Sequence, residues 1–247
     1  MIASVTGIGW VTAAGTGCGR DHDRFVMADG QLPELTGKMV FGKRNPRFGR
    51  MDQYSRLGVA AIAFALRDAG LEEWTVKRHI GIIVSTVYGC LHTDMDYFET
   101  VMPHEEGAMP SPHLFAYTLP SCFLGEAAIR FGLTGESFAV NDPSPRGLAG
   151  LRMSLDSIAC GEMDKMLCGV CDANCPPIFA GTEGNNFRPL PAAGVTGALF
   201  FMIEKDPETN LPPYGELDLN DKGDILFNKT ETGSLESLVH GCLMLDA

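Results

Sequence analysis

Ser144 lies in Asn141-Asp142-Pro143-Ser144-Pro145-Arg146-Gly147, where a short apolar strand pattern gives way to a helical one. A sharp strand-to-helix turn exposes a side chain above a sheet and sets the first unpaired helix N–H groups beside it, a common placement for a nucleophile and its oxyanion donors. The chemistry on offer is nucleophilic attack by the hydroxyl. A serine nucleophile needs a base, and the nearest histidines in sequence are His113 upstream and His240 far downstream. A structural role competes with this one. Serine before proline is an ordinary helix start, with Ser144 as N-cap and Pro145 at the first helical position, where its missing N–H costs nothing. On local grounds the capping role has the better case.

Other chemically suggestive groups have bland explanations. Cys168, Cys171 and Cys175 stand at spacings that suit zinc or an iron–sulfur cluster. No second CxxC pair accompanies them, and Met166, Leu167 and Val170 make the first half read as a core strand, so structural cysteines and no metal are expected. His92, Asp94 and Asp96 share a segment, but their spacing does not put all three on one helix face. Gly7-Ile8-Gly9 follows a strand, yet Thr12 stands where a dinucleotide fingerprint needs its third glycine, and no nicotinamide cofactor is assigned. No cofactor of any kind is expected.

The elements that must position these residues read as α/β. Apolar runs short enough for buried strands alternate with helical patterns, as in a mostly parallel sheet covered on both faces. Strands are expected at Ile2 to Thr6, Ile80 to Ser85, Phe138 to Val140, Lys165 to Cys171, Ala198 to Glu204 and Ile225 to Phe227. Helices are expected at Asp52 to Ala69, ended by Gly70, at Cys90 to Met102, and at Pro120 to Phe131, capped by Gly132. Two more follow at Pro145 to Ala159, with Leu148, Leu151, Leu155 and Ile158 as buried stripe, and at Leu235 to Met244. Pro103, Pro110 and Pro112 enforce an irregular crossing. Asp206 to Gly223 is polar and turn-rich.

Composition narrows the class of partner. The chain has 247 residues, 45% hydrophobic and 20% charged, with a net charge of −12 and a pI near 4.9. Nucleic-acid binding rests on clustered Lys and Arg, so this acidic balance argues against it. The exception is Lys38 to Arg50, where Lys38, Lys43, Arg44, Arg47 and Arg50 stand among glycines and prolines. It reads as a solvated loop, with an anionic ligand or carrier as the alternative. No apolar run reaches membrane-spanning length, the N-terminus lacks a basic-then-apolar leader, and the eight cysteines lie mostly in apolar segments. A cytoplasmic protein with reduced thiols and no membrane span is expected.

Taken in order, the segments resemble the β-ketoacyl synthases of the thiolase-like superfamily. Val5-Thr6-Gly7-Ile8-Gly9-Trp10-Val11-Thr12 is similar to that family's first-strand motif, and Met51-Asp52 with the helix to Asp68-Ala69-Gly70-Leu71 to its next. Ser111-Pro112-His113-Leu114-Phe115 and Phe131-Gly132-Leu133-Thr134-Gly135 resemble the approach to the catalytic strand. The resemblance implies a thiolase-like layered α/β fold. It divides the chain into residues 1–204, a ketosynthase N-terminal-like domain, and 205–247, a compressed remnant of the second half packed on it.

Family enzymes carry an acyl-thioester on a cysteine at the strand-to-helix turn and condense it with a decarboxylating malonyl group using two histidines. Counting from Gly135, Ser144 takes the cysteine's place. Asn228-Lys229-Thr230-Glu231-Thr232-Gly233-Ser234 resembles a late lysine-serine-glycine-histidine element that keeps Lys229 but puts Ser234 at the histidine's position. The resemblance therefore implies a catalytically degenerate partner subunit of the chain-length-factor type, in fatty-acid, polyketide or aryl polyene biosynthesis. Its implied partners are an acyl carrier protein or acyl-thioester and a second subunit, as homodimer or as heterodimer with an active ketosynthase. The family pairs the strand equivalent to Phe138-Ala139-Val140 across the dimer axis. The alternatives are an active acyltransferase using Ser144, and an acyl-carrier or acyl-CoA binding module.

Overall fold

The computed structural model describes residues 2–21, 24–28, 30–102, 109–142, 144, 147–173 and 196–244. In chain order these form β1 (Ala3–Thr12), β2 (Gly15–Cys18), α1 (Gly37–Phe41), a 3₁₀ turn (Phe48–Arg50), α2 (Gln53–Asp68), β3 (Gly81–Thr86), α3 (Leu91–Val101), α4 (Pro112–Phe115) and α5 (Cys122–Phe131). Then come β4 (Ser137–Asn141), α6 (Ala149–Cys160), β5 (Lys165–Asp172), β6 (Gly197–Glu204), β7 (Gly215–Leu219), β8 (Ile225–Phe227), β9 (Thr230–Glu231) and α7 (Leu235–Leu243). The strands make one sheet in the order β4-β3-β5-β6-β1-β7-β8-β9, with β2 also on β1. β3 runs parallel to β4 and β5, and the remaining pairs are antiparallel. This is the expected α/β class, but the sheet is mixed rather than mostly parallel: among the described residues six of the eight strand pairs are antiparallel, because β1–β2, β7–β8 and β8–β9 join through hairpin turns rather than helical crossovers.

Side-chain alternation shows why the central strands read as unbroken apolar runs. Ile82, Val84, Leu167, Cys171, Phe200 and Met202 join one core with α2 and α5. Ile83, Met166, Cys168, Val170, Phe201 and Ile203 join a second core with α6 and α7. Successive residues face opposite sides of a strand, so a sheet covered on both faces needs apolar side chains at every position. Fully burying each Leu, Ile, Val or Phe contributes about 1.5–3 kcal/mol.

α2 is the buried centre of the first layer. Asp52 caps it by accepting the Ser55 N–H at 3.0 Å, and Gly70, at φ 71°, ends it. Its close approach to β1 corrects the reading of Gly7 and Gly9. A Cβ on either glycine would collide with the backbone of Ala65, so both lie mid-strand and β1 runs on to Thr12 rather than stopping at Thr6. The polar stretch 206–223 also holds a strand, β7, whose Gly215 to Leu217 pair with Val5 to Ala3.

Candidate functional site

β4 forms an edge of the sheet, and the chain leaves it into the Ser144 turn. The Asp142 N–H donates to Thr86 O at 2.9 Å, continuing the parallel ladder by one residue. Its side chain then spans the turn. Asp142 Oδ1 accepts the Ser144 N–H at 2.9 Å, and Oδ2 accepts the Ala149 N–H at 3.2 Å. The next helix donor, Gly150 N–H, goes to Ser85 Oγ at 2.7 Å. Gly147, at φ 64°, closes the turn with its N–H on Ser144 O at 3.2 Å.

This geometry overturns the capping role expected for Ser144. α6 begins at Ala149 with Leu148 as N-cap and no side-chain bond from that cap. Two of the donors at the helix start, Ala149 N–H and Gly150 N–H, go to Asp142 and Ser85, and Ser144 stands four residues before the cap position. The same bonds bear on chemistry. Two helix N–H groups and the Ser144 N–H, all candidates for holding an oxyanion, already have acceptors, one of them a carboxylate. Pro143, Pro145 and Arg146 lie outside the described residues.

A second carboxylate orders the neighbouring loop. Asp172, at the end of β5 and 2% exposed, accepts from Thr86 Oγ1 at 2.7 Å and from the N–H groups of Val87 (2.9 Å), Tyr88 (2.7 Å) and Gly89 (3.0 Å). Burial pushes its pKa above the ordinary carboxylate range, while these donors favour the ionised form. Neither Asp142 nor Asp172 was singled out from sequence. Asp142 carries a local signal, since an aspartate two residues before a turn serine can accept that residue's N–H. The partners of Asp172 lie in a distant segment.

The other sequence-predicted residues are dispersed. Lys229 occupies the two-residue turn between β8 and β9, where Asn228 (φ 47°) and Lys229 (φ 70°) are both left-handed, at the opposite edge of the sheet from β4. Ser234 caps α7, its Oγ accepting the Ser237 N–H at 3.1 Å. The helix that it starts returns towards the Ser144 turn, since a Cβ built on Gly147 would meet Leu235 Cδ1 at 3.4 Å. His113 stacks edge-on against Tyr117 at 5.8 Å. His240 stacks on Phe25 at 5.7 Å and faces Glu236 at 4.0 Å.

Cys168 and Cys171 fall in the two different cores, on opposite faces of the sheet, and so do not converge on one ion; Cys175 lies outside the described residues. His92 pairs with Asp96 at 3.4 Å, while Asp94 accepts from the Cys90 thiol at 3.6 Å. Arg47 of the basic segment is bonded to Glu126, and Arg130 of α5 stacks over Phe41 at 4.9 Å. They rim an apolar cavity of about 240 Å³ floored by Phe48, Met51 and Val59. Among the described residues no helix is long and apolar enough to cross a membrane.

The model of the β-ketoacyl synthase N-terminal domain matches residues 28–183. A Streptomyces halstedii protein named "Putative polyketide beta-ketoacyl synthase 1" is 27% identical over 205 residues, covering 70% of this chain and 47% of that one. Nodulation protein E of Rhizobium sp. (strain N33) is 29% identical over 127 residues, 50% of this chain and 31% of that one. The chain thus spans about half or less of the length of the curated relatives it matches. Among solved structures, a chain of the ishigamide ketosynthase/chain length factor superposes with a TM-score of 0.64 at 21% identity, covering 87% of this chain and 62% of that one. A chain from the ketosynthase ApeO in complex with its chain length factor ApeC, from Xenorhabdus doucetiae, gives 0.58 at 16%, covering 84% and 81%.

Proposed function

The chain belongs to the β-ketoacyl synthase family, and from that premise we propose that it is a catalytically degenerate partner subunit of the chain-length-factor type. It pairs with an active ketosynthase that builds polyketide, fatty-acid or aryl polyene chains. The observation that carries this reading is the turn at Ser144, where the family cysteine has its place. The scaffold around the turn is retained, yet the residue there is a hydroxyl that stays protonated near neutral pH, and the neighbouring donors are taken by Asp142 and Ser85. Ser234, at the place of a family histidine, serves as a helix cap. β7, β8, β9 and α7 extend the same sheet and its second core beyond residue 204.

The partner is a second subunit joined through β4. Among the described residues that strand pairs only with β3, and Phe138, Ala139 and Val140 are half-buried. An apolar edge left open invites non-specific strand pairing, and continuing the sheet across a two-fold or pseudo-two-fold axis removes it. An acyl carrier protein meets the Lys38 to Arg50 segment, the basic exception on an acidic chain. The cytoplasm suits free thiols at the described cysteines.

Sedimentation of the chain alone and with a full-length ketosynthase from the same source tests the proposal. A tight complex is expected. A folded, monodisperse monomer that ignores the ketosynthase overturns it and favours a self-sufficient acyltransferase or acyl-binding module.

A further inference from the structure

We infer that the cavity between α1, α2 and α5 is a binding site for a free apolar monocarboxylate, an alkanoate of about eight carbons, whose chain fills the cavity and whose carboxylate meets Arg130. The inference goes beyond the partner-subunit reading and does not depend on it, since the ligand is a small molecule held by this chain alone.

The floor sets the size and polarity of the ligand. Phe48, Met51 and Val59, all buried, line the bottom of this cavity of about 240 Å³, and Phe41 walls it, packed edge-on against Phe48 at 5.3 Å. Water there finds polar partners only at the rim, so an apolar body is the favoured filling. An apolar cavity of about 150 Å³ takes the six carbons of benzene, and on that scale this one holds roughly eight to ten. The rim sets the charge. Arg47 and Glu126 pair with each other and cancel. Arg130 stacks over Phe41 at 4.9 Å and Phe131 at 5.4 Å, and no carboxylate among the described residues pairs with it. Stacking on two rings holds the guanidinium plane, and a planar fork suits the two oxygens of a carboxylate. Asn45 Oδ1 is committed to the Phe48 N–H at 3.1 Å, so what Asn45 can offer a ligand is its NH₂ group, again a donor. A net positive rim with donors in excess stands above an apolar floor, which is the complement of an alkanoate.

Calorimetric titration of the full chain, with each ligand kept below its micelle concentration, tests the inference. The probes are hexanoate, heptanoate, octanoate and dodecanoate, with octan-1-ol as the neutral partner of octanoate. Saturable binding is expected, tightening about fourfold per methylene from hexanoate to octanoate, as burial of each methylene requires. The gain should end beyond about ten carbons, where the cavity is full. Octan-1-ol should bind about tenfold more weakly than octanoate, for want of the charged partner that Arg130 needs. Arg130→Gln should bring octanoate down to the octan-1-ol value and leave octan-1-ol unchanged. If that variant fails to fold by circular dichroism, Ile129→Glu replaces it. That residue is 62% exposed on the same rim, and an added carboxylate there should weaken octanoate but not octan-1-ol. No saturable octanoate binding, equal affinity for octanoate and octan-1-ol, or affinity that ignores chain length overturns the inference. Octanoate binding as expected by a chain that ignores the ketosynthase in sedimentation upholds it and retires the partner reading alone.

Discussion

Gly147 and Leu235 share one packing site. A Cβ built on Gly147 would stand 3.4 Å from Leu235 Cδ1 and 2.9 Å from Val170 Cγ1, so the turn after Ser144, the sheet and the first residue of α7 close on a position with no side chain. The C-terminal segment is therefore part of the wall of the turn, although it follows the strand at the other edge of the sheet.

Gly147→Ala combines a left-handed φ of 64° with that contact. A non-glycine residue there costs about 1 kcal/mol for the backbone alone, and displacing Val170 raises the total to about 2–3 kcal/mol. Urea denaturation checks this, and α7 should lose amide protection before the central strands.

Asp172→Asn tests the loop carboxylate. An amide presents one acceptor oxygen and an NH₂ group to Thr86 Oγ1, Val87 N–H, Tyr88 N–H and Gly89 N–H, so some of these donors lose their partner. The expected loss is about 2–4 kcal/mol, read by denaturation, with faster proteolysis at the β3–α3 connection. A change below about 0.5 kcal/mol would mean that the loop does not depend on Asp172.

Burial holds the Cys18, Cys90 and Cys168 thiols at about 12, well above an unfolded thiol. Each folded value lies above the unfolded one, so the contribution to stability is full below about pH 8.5 and is lost as pH rises towards 12. Thermal melts should fall across that window, and Cys168→Ala should flatten the alkaline limb while lowering stability at pH 7. At pH 7.5 iodoacetamide should label Cys160 in the native protein and Cys168 only after denaturation.

Much of the fold was legible because local chemistry and burial agree. Asp52 and Gly70 bracket α2 where cap and stop residues should stand, and β5 and β6 read as unbroken apolar runs because both their faces are covered. β1 reads short because Gly7 and Gly9 resemble a strand ending, and only the approach of Ala65 shows why glycine is needed mid-strand. β7 is hidden in the sequence because Gly215, Glu216 and Asp218 dilute its pattern, and its pairing with β1 comes from the far end of the chain. At the site, Ser144 is legible as a turn residue, but the Ser-Pro pattern points to a helix cap there while α6 starts only at Ala149. The length of the turn is set by Asp142 reaching Ala149, a tertiary bond with no helical or strand period.

Val140→Lys tests the open edge. The residue is half-buried and packs against the second core, so a lysine costs some stability in the subunit as well as charging the edge. Sedimentation should show lost association with a circular dichroism spectrum still folded at 10 °C. Surface Lys205→Glu, away from β4, should leave association unchanged.

The central claim is that Ser144 does no acyl chemistry, and intact-protein mass after incubation with acyl-CoA thioesters of short and long chain, malonyl-CoA included, tests it most directly. An unmodified mass is expected for the chain alone, and an acyl adduct only on an added ketosynthase. An acyl-serine mapped to Ser144, formed by the chain alone and absent from Ser144→Ala, would contradict it.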